Sequence, residues 1–196
     1  MSDVKSLLNE LEALGRESGL GRVEELAHLL RQSTTQDQAA LSAAGAIEIE
    51  RKYLLSDLPE SLSGRSGRAL AQGYLPGERL IERIRRIDHN GQSRFIRTVK
   101  LGEGVARVEI EEACDETVFE TLWSLTAGRR IEKTRYAVPE GEYVWEIDAF
   151  KGQALFLAEI ELPSVDSPVS FPAWLAPYIV REVTGERDYT NWALSC

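Results

Sequence analysis

The spacing of apolar residues changes near residue 46 and divides the chain into two parts. In the first part, apolar residues recur three and four positions apart from Leu7 to Leu14 and again from Val23 to Leu30. Spacing of this kind is typical of amphipathic helices, and the glycines between the two runs would end the first one. The pattern therefore predicts an N-terminal helical extension over residues 1–45.

After residue 46, apolar and polar residues alternate with a period of two, which is typical of β-strands. Turn pairs such as Asn90-Gly91 and Glu140-Gly141 separate several of the alternating runs. The pattern predicts eight strands, at about 46–54, 69–75, 80–88, 94–101, 106–113, 131–138, 142–150 and 155–162. We expect residues 46–196 to form one domain of the α+β class that is mainly antiparallel β-sheet.

A helix is expected between the fifth and sixth strands, over residues 115–127. Asp115 can cap its first turn, apolar residues from Val118 onward fall on one side, and Gly128 can end it. The last thirty or so residues are rich in aromatic side chains and are expected to form short helices and loops on the sheet.

One face of the predicted strands is almost entirely charged. A single such strand is usually the solvated side of a half-buried sheet, but here the same composition recurs from strand to strand, opposite apolar positions. The strands are therefore expected to close into an eight-stranded β-barrel with a charged lumen and flanking helices. The charged face comprises Glu48, Glu50, Lys52, Arg83, Arg85, Arg94, Thr98, Lys100, Arg107, Glu109, Glu111, Lys133, Arg135, Glu146, Asp148, Glu159 and Glu161.

Composition excludes several classes of protein. The net charge of −9 argues against general binding of nucleic-acid backbones, which requires clustered lysine and arginine. No apolar run approaches the roughly 18 residues of a membrane span and no signal core is seen, so a cytoplasmic location is predicted. Two cysteines, Cys114 and Cys196, argue against a disulfide scaffold or a zinc site. His28 and His89 offer no arrangement for nucleophilic catalysis.

The mixture of acids and bases in one lumen indicates a particular kind of ligand. Unpaired charges are costly to bury, so the lumen must be hydrated and must hold opposed charges or ions. Arginine and lysine suit phosphate oxygens, whereas clustered carboxylates suit Mg²⁺ or Mn²⁺. Together they indicate a site for a metal ion and a polyphosphate.

The segment Glu48-Ile49-Glu50-Arg51-Lys52 resembles the E-x-E-x-K motif that opens the CYTH domain of the triphosphate tunnel metalloenzymes. The resemblance covers nearly all of residues 46–196 and leaves the N-terminal extension aside. Its further matches, in chain order, are Gln72–Leu75, Arg83 with Arg85, Lys100, Arg107 with Glu109 and Glu111, Lys133 with Arg135, Asp148, Ala158–Leu162, Glu182–Thr184 and Tyr189–Asn191.

The resemblance implies an antiparallel tunnel that binds a linear triphosphate and a divalent metal. Similarity is greatest to short bacterial proteins that hydrolyse inorganic tripolyphosphate to pyrophosphate and phosphate. It implies that Mg²⁺ or Mn²⁺ would be held by Glu48, Glu50, Glu159 and Glu161. Phosphate oxygens would be held by Lys52, Arg83, Arg85, Lys100, Arg107, Lys133 and Arg135. Glu109, Glu111 and Asp148 would line the tunnel, and Glu48, Glu50, Lys52 and Arg85 would form the catalytic set.

Other functions stay open at this point. Adenylate cyclisation or hydrolysis of a nucleoside or thiamine triphosphate would use the same grip on a triphosphate, and a non-catalytic module would only bind polyphosphate. The expected partner is a small triphosphate, with no membrane and no nucleic acid. The N-terminal extension is expected to cover apolar surface or to join a homodimer, with gating of one mouth of the tunnel as the alternative.

Overall fold

The computed structural model describes residues 47–75, 77, 81–101 and 106–196. These residues form nine strands, one α-helix and four short 3-10 helices. The strands are β1 Ile47–Leu55, β2 Arg68–Leu75, β3 Ile81–His89, β4 Gln92–Leu101, β5 Ala106–Cys114, β6 Arg130–Glu140, β7 Tyr143–Phe150, β8 Phe156–Glu161 and β9 Ile179–Glu182. The α-helix, α1, is Glu116–Ser124, and the 3-10 helices are Glu60–Leu62, Ala176–Tyr178, Arg187–Tyr189 and Ala193–Ser195. The expected helical extension over residues 1–45 lies outside the described residues.

The strands form one antiparallel sheet in the order β5-β4-β3-β2-β6-β7-β8-β1-β9, with a further pairing between β5 and β1. That further pairing is short and consists of three residue pairs, from Ile47 with Val108 to Ile49 with Ala106. The mainly antiparallel β-sheet with a flanking helix is confirmed. The expected barrel of eight strands is corrected, because the sheet has nine strands and joins β5 to β1 only through this short segment.

Strand β9 was not predicted from the sequence pattern. It has four residues, and it pairs with Tyr53–Leu55 of β1 across a register shift. Four residues are too few to show a clear alternation in the sequence, which is why the pattern predicted only loops and short helices in this part of the chain.

The apolar side of β1, β7 and β8 is covered by the segment that precedes β9. Its Leu175 is fully buried in one core cluster with Ile49, Trp145 and Ile147. The Phe171 ring meets the Tyr53 ring edge-on, with a centroid distance of 4.9 Å. The apolar positions opposite the charged face are thus removed from water by the chain's own later residues.

Helix α1 covers the apolar side of the neighbouring strands. The Asp115 carboxylate accepts a hydrogen bond from the Val118 amide at 2.8 Å, as expected for the N-cap residue. Phe119 is buried and lies 5.0 Å from the Phe95 ring of β4, centroid to centroid. The helix ends at Ser124 and not at residue 127, because the following residues form a turn in which Thr126 packs against Gly73.

A second apolar cluster occupies one end of the charged face. It is formed by Tyr74, Ile131, Phe150, Leu157 and Val183, with Trp192 and Leu194 packed against it. The C-terminal residues therefore lie across this end of the sheet.

None of the helices within the described ranges is long and apolar enough to cross a membrane.

Candidate functional site

The charged side of the sheet lines a cavity of about 1240 Å³. Most of the residues predicted to form the site come together in its wall. They are Glu50, Lys52, Arg83, Arg85, Lys100, Glu109, Glu111, Arg135, Glu159 and Glu161. Alternation along each strand explains this result, because every second side chain of β1, β3, β5 and β8 faces the same side.

Two predicted residues, Lys133 and Asp148, are buried next to this wall. Their side chains are fully buried, and the Lys133 Nζ lies 2.5 Å from the Asp148 Oδ2. Two others cannot be placed, since the side chains of Glu48 and Arg107 are outside the described part of the structure. Their backbones are paired with each other in the ladder between β1 and β5.

Arg135 is the centre of one group of charges. Its guanidinium donates to both oxygens of Asp148, at 2.7 and 2.6 Å, and to Glu159 at 2.5 Å. It also contacts Glu146. The three carboxylates fix the position of the Arg135 guanidinium. Burial alone would lower the pKa of Arg135, but the three carboxylates raise it above the ordinary value.

Glu159 connects this group to β1. Its Oε1 lies 2.9 Å from the Lys52 Nζ, which is also 3.8 Å from Glu50. Burial would raise the pKa of Glu159, but Lys52 and Arg135 together lower it well below the ordinary value. Glu159 therefore remains ionised and fixes the positions of two cations.

Arg83 and Arg85 form a second group with a single carboxylate. The Glu111 Oε1 accepts from Arg83 at 2.8 Å, from Arg85 at 2.7 Å and from the Thr98 hydroxyl at 2.9 Å. Two guanidinium groups thus share one carboxylate oxygen. The pKa of Arg85 is lowered to about 10 by burial and by the neighbouring Arg83. Glu111 acts in the opposite direction and does not fully offset the effects of burial and of Arg83.

Each of these two arginines also has one buried nitrogen without a hydrogen-bond acceptor among the described residues. The Nε atoms of Arg83 and Arg85 are buried and make no hydrogen bond within the described part of the chain. Buried polar atoms are normally hydrogen-bonded, so the protein neighbours of these two guanidinium groups leave part of their donor capacity unused. Nearby, Lys100 pairs with Glu109, which lies 3.9 Å from the Arg83 Nη2.

The acidic part of the wall has a different character. Glu50 and Glu161 are opposite each other in the ladder between β1 and β8. The pKa of Glu161 is raised by burial and by the negative charges of Glu146 and Glu50. Crowded carboxylates of this kind favour a cation among them. Within the described ranges, however, no three acidic, cysteine or histidine residues are already arranged to hold a metal ion.

Comparison with known proteins identifies relatives that match about three quarters of the chain. The chain is 38% identical to an inorganic triphosphatase of Nitrosomonas europaea over 156 residues, which cover 76% of this chain and 96% of that protein. It is 33% identical to an inorganic triphosphatase of Acetivibrio thermocellus over 149 residues, which cover 74% of this chain and 90% of that protein. The chain belongs to the inorganic triphosphatase family. Its resemblance to the CYTH domain of the triphosphate tunnel metalloenzymes is thereby confirmed.

A solved structure supports the same assignment. The crystal structure of the inorganic triphosphatase NE1496 matches with a TM-score of 0.51 and 34% identity, covering 76% of this chain and 93% of that one. No family model matches the chain.

Several residues that line the cavity were not among the predicted site residues. Gln72 and Tyr74 of β2 line it, as do Tyr189, Asn191 and Trp192 of the C-terminal segment. Gln72 and Tyr74 could have been found from the alternation of β2. The C-terminal residues carry no such periodicity, and only their similarity to the family's ending pointed to them.

Proposed function

We propose that this chain hydrolyses a linear triphosphate, with inorganic tripolyphosphate as the substrate and pyrophosphate and phosphate as products. The observation that carries the proposal is the pair of guanidinium groups of Arg83 and Arg85, which share one Glu111 oxygen on the wall of a cavity that also holds carboxylates. Cations alone would suffice to bind a polyanion, whereas the carboxylates fit a metal-assisted reaction.

The basic residues of the cavity would act on the phosphate oxygens. The guanidinium groups of Arg83 and Arg85 both donate to the Glu111 Oε1, and Lys100 lies on the adjacent strand. Charge spreads over the oxygens of the transferred phosphoryl group as its bond to the leaving phosphate loosens. Fixed cations stabilise that charge without having to reorganise during the reaction.

The acidic residues would hold a divalent cation, Mg²⁺ or Mn²⁺. Glu50 and Glu161 fit this role because they are opposite each other on the paired strands β1 and β8, and because burial and the neighbouring carboxylates raise the pKa of Glu161. Glu48 is proposed for the same set from its place in the motif. Bound there, the cation would neutralise phosphate charge as a Lewis acid.

Glu159, the fourth predicted metal ligand, has both oxygens engaged by Lys52 and Arg135. We propose that it also orients these two cations towards the substrate. The nine-stranded sheet, with its short pairing between β5 and β1, would form the wall around the bound substrate.

The test is a substrate panel at fixed metal concentration. Phosphate release would be measured from tripolyphosphate, ATP and thiamine triphosphate with Mg²⁺ or Mn²⁺, and cyclic AMP would be followed in the ATP reaction. Preferential release from tripolyphosphate is expected. Cyclic AMP formation, or binding of tripolyphosphate with no release of phosphate, would contradict the proposal.

Glu50→Gln provides the matched test of the acidic residues. It removes a charge from the cavity and is expected to lower kcat by about 100-fold. Glu132→Gln is the control, because Glu132 lies outside the cavity wall in an exposed pair with Lys151. Equal activity of the two variants would exclude Glu50 from the metal site.

A further inference from the structure

Asn191 contacts a buried cation next to the cavity. Its side-chain oxygen Oδ1 accepts a hydrogen bond from the Lys133 Nζ at 3.1 Å. Asn191 itself lines the cavity. The Lys133 side chain is fully buried, and its Nζ lies 2.5 Å from the Asp148 Oδ2. An ammonium group has three donors, and these two acceptors fix its direction.

The backbone around Asn191 is held from both sides. The Tyr189 carbonyl accepts a hydrogen bond from the Lys52 Nζ at 3.3 Å. On the other side, the Trp192 ring meets the Tyr74 ring edge-on, with a centroid distance of 5.4 Å. The Arg129 guanidinium lies over the Trp192 ring, 5.0 Å from its centroid. Asn191 is therefore placed by contacts with β1 and β2, and not by the local loop alone.

We propose that Asn191 is a positioning residue for the hydrolytic reaction, holding the Lys133 ammonium against Asp148 at the wall of the cavity. This inference rests on the proposed function, since it assumes that the charge of Lys133 contributes to binding or turnover of a triphosphate. It gives the C-terminal segment a role in the site that the strand pattern does not indicate.

The charged groups that face Lys133 determine the sign of the expected effects. Burial and the neighbouring Arg135 lower the pKa of Lys133 to about 8, and Asp148 and Glu159 act in the opposite direction. The Asn191 oxygen favours the protonated amine because it accepts one of its hydrogens. Loss of that oxygen should lower the pKa of Lys133 further, and a carboxylate in its place should raise it.

Two variants at this position have opposite predicted effects. Asn191→Leu should move the alkaline limb of the kcat profile for tripolyphosphate to lower pH by about one to two pH units, the equivalent of one hydrogen bond to a charged group. Asn191→Asp should move it to higher pH. The Nζ chemical shift of Lys133, followed by NMR against pH, should move in the same directions. Asn90→Asp, in the exposed turn between β3 and β4, is the control and should shift neither.

Opposite shifts are the result that a merely structural role would not give, and Asn191→Asp keeps the test decisive if the leucine variant does not fold. Unchanged profiles in both Asn191 variants would overturn the inference. A shifted Lys133 titration with an unchanged kcat profile would overturn it too, because the reaction would then not depend on the contact. Failure of the wild-type chain to release phosphate would count against the proposed function, and the NMR titration would still report separately on the contact.

Discussion

The positive charge around Arg83 and Arg85 is the feature of individual residues that matters most for the proposed site. Both guanidinium groups depend on the same Glu111 oxygen, and each keeps a buried Nε without a partner in the described structure. Guanidinium groups bind anions that carry several oxygens, so this arrangement suits a polyphosphate.

Arg85→Ala is therefore expected to weaken the use of tripolyphosphate. Removal of one charge-assisted contact should lower kcat/KM by about 10-fold to 100-fold. Arg86→Ala is the matched control, because Arg86 is the next residue along β3 and pairs with Asp88 outside the cavity at 3.0 Å. Steady-state kinetics would decide, and an equal loss in the two variants would remove Arg85 from the substrate site.

Glu159 links the charged cavity to the stability of the fold. Because its pKa is lowered from 4.5 in the folded state, its stabilising contribution is present above pH 4.5 and is lost as the pH falls through the lowered value. Glu159→Gln should lower the free energy of unfolding by about 3 kcal/mol near neutral pH, since it breaks a buried ion pair.

The difference between wild type and Glu159→Gln should become smaller in acid. Urea unfolding with chelator present, compared at about pH 7 and about pH 3.5, measures it without a contribution from bound metal. A difference that is the same at both pH values would show that the Glu159 charge is not the cause.

The sequence predicts which residues lie on the charged face of the sheet, but it does not predict which of them form ion pairs with each other. Glu111 serves two arginines, and Arg135 contacts three carboxylates from β7 and β8. These partners depend on the register between strands, which alternation within one strand does not determine.

At the level of elements, β2 packs closely against the turn after α1. A Cβ atom on Gly73 would lie 2.5 Å from the Thr126 Oγ1 and within 3 Å of two further Thr126 atoms. Thr126 is fully buried and cannot move aside. Glycine at residue 73 is therefore required by close approach.

Gly73→Ala is expected to lower the free energy of unfolding by about 2 kcal/mol or more through overpacking. Gly64→Ala is the comparison, because nothing lies within 4 Å of its Cβ position and only its φ of +75° is unfavourable. That change should cost about 1 kcal/mol. Thermal or urea unfolding measures both, and a larger loss at residue 64 than at residue 73 would contradict the packing argument.

The first eight strands could be predicted because each is long enough to show alternation, and α1 because Asp115 and the apolar spacing mark its start. The end of α1 was predicted three residues too late, since no sequence signal shows that Thr126 has to pack against Gly73. β9 was missed because its pairing with Tyr53–Leu55 depends on tertiary contact and not on its own pattern.

For the whole molecule, the account implies that metal is needed for the reaction and not for the fold. The described charges of the cavity largely pair with one another, and the apolar clusters lie on the other side of the sheet and at one end of the cavity. Chelator should therefore abolish phosphate release reversibly and leave the far-ultraviolet circular dichroism unchanged. Activity that persists in chelator would contradict the proposed role of the acidic residues.

The joining of β5 to β1 could not be derived from the alternation, which predicts strands but neither their order nor their number of pairings. The sheet reaches this arrangement through the sequence-distant pairings of β2 with β6 and of β8 with β1. These pairings bring charges from residues 50 to 161 around one cavity.

A crystal structure of the protein with tripolyphosphate would test the central claim most directly. The account predicts a linear triphosphate inside the cavity, with phosphate oxygens within hydrogen-bonding distance of the guanidinium groups of Arg83 and Arg85. A triphosphate bound on the outer face of the sheet, in contact with neither guanidinium group, would contradict it.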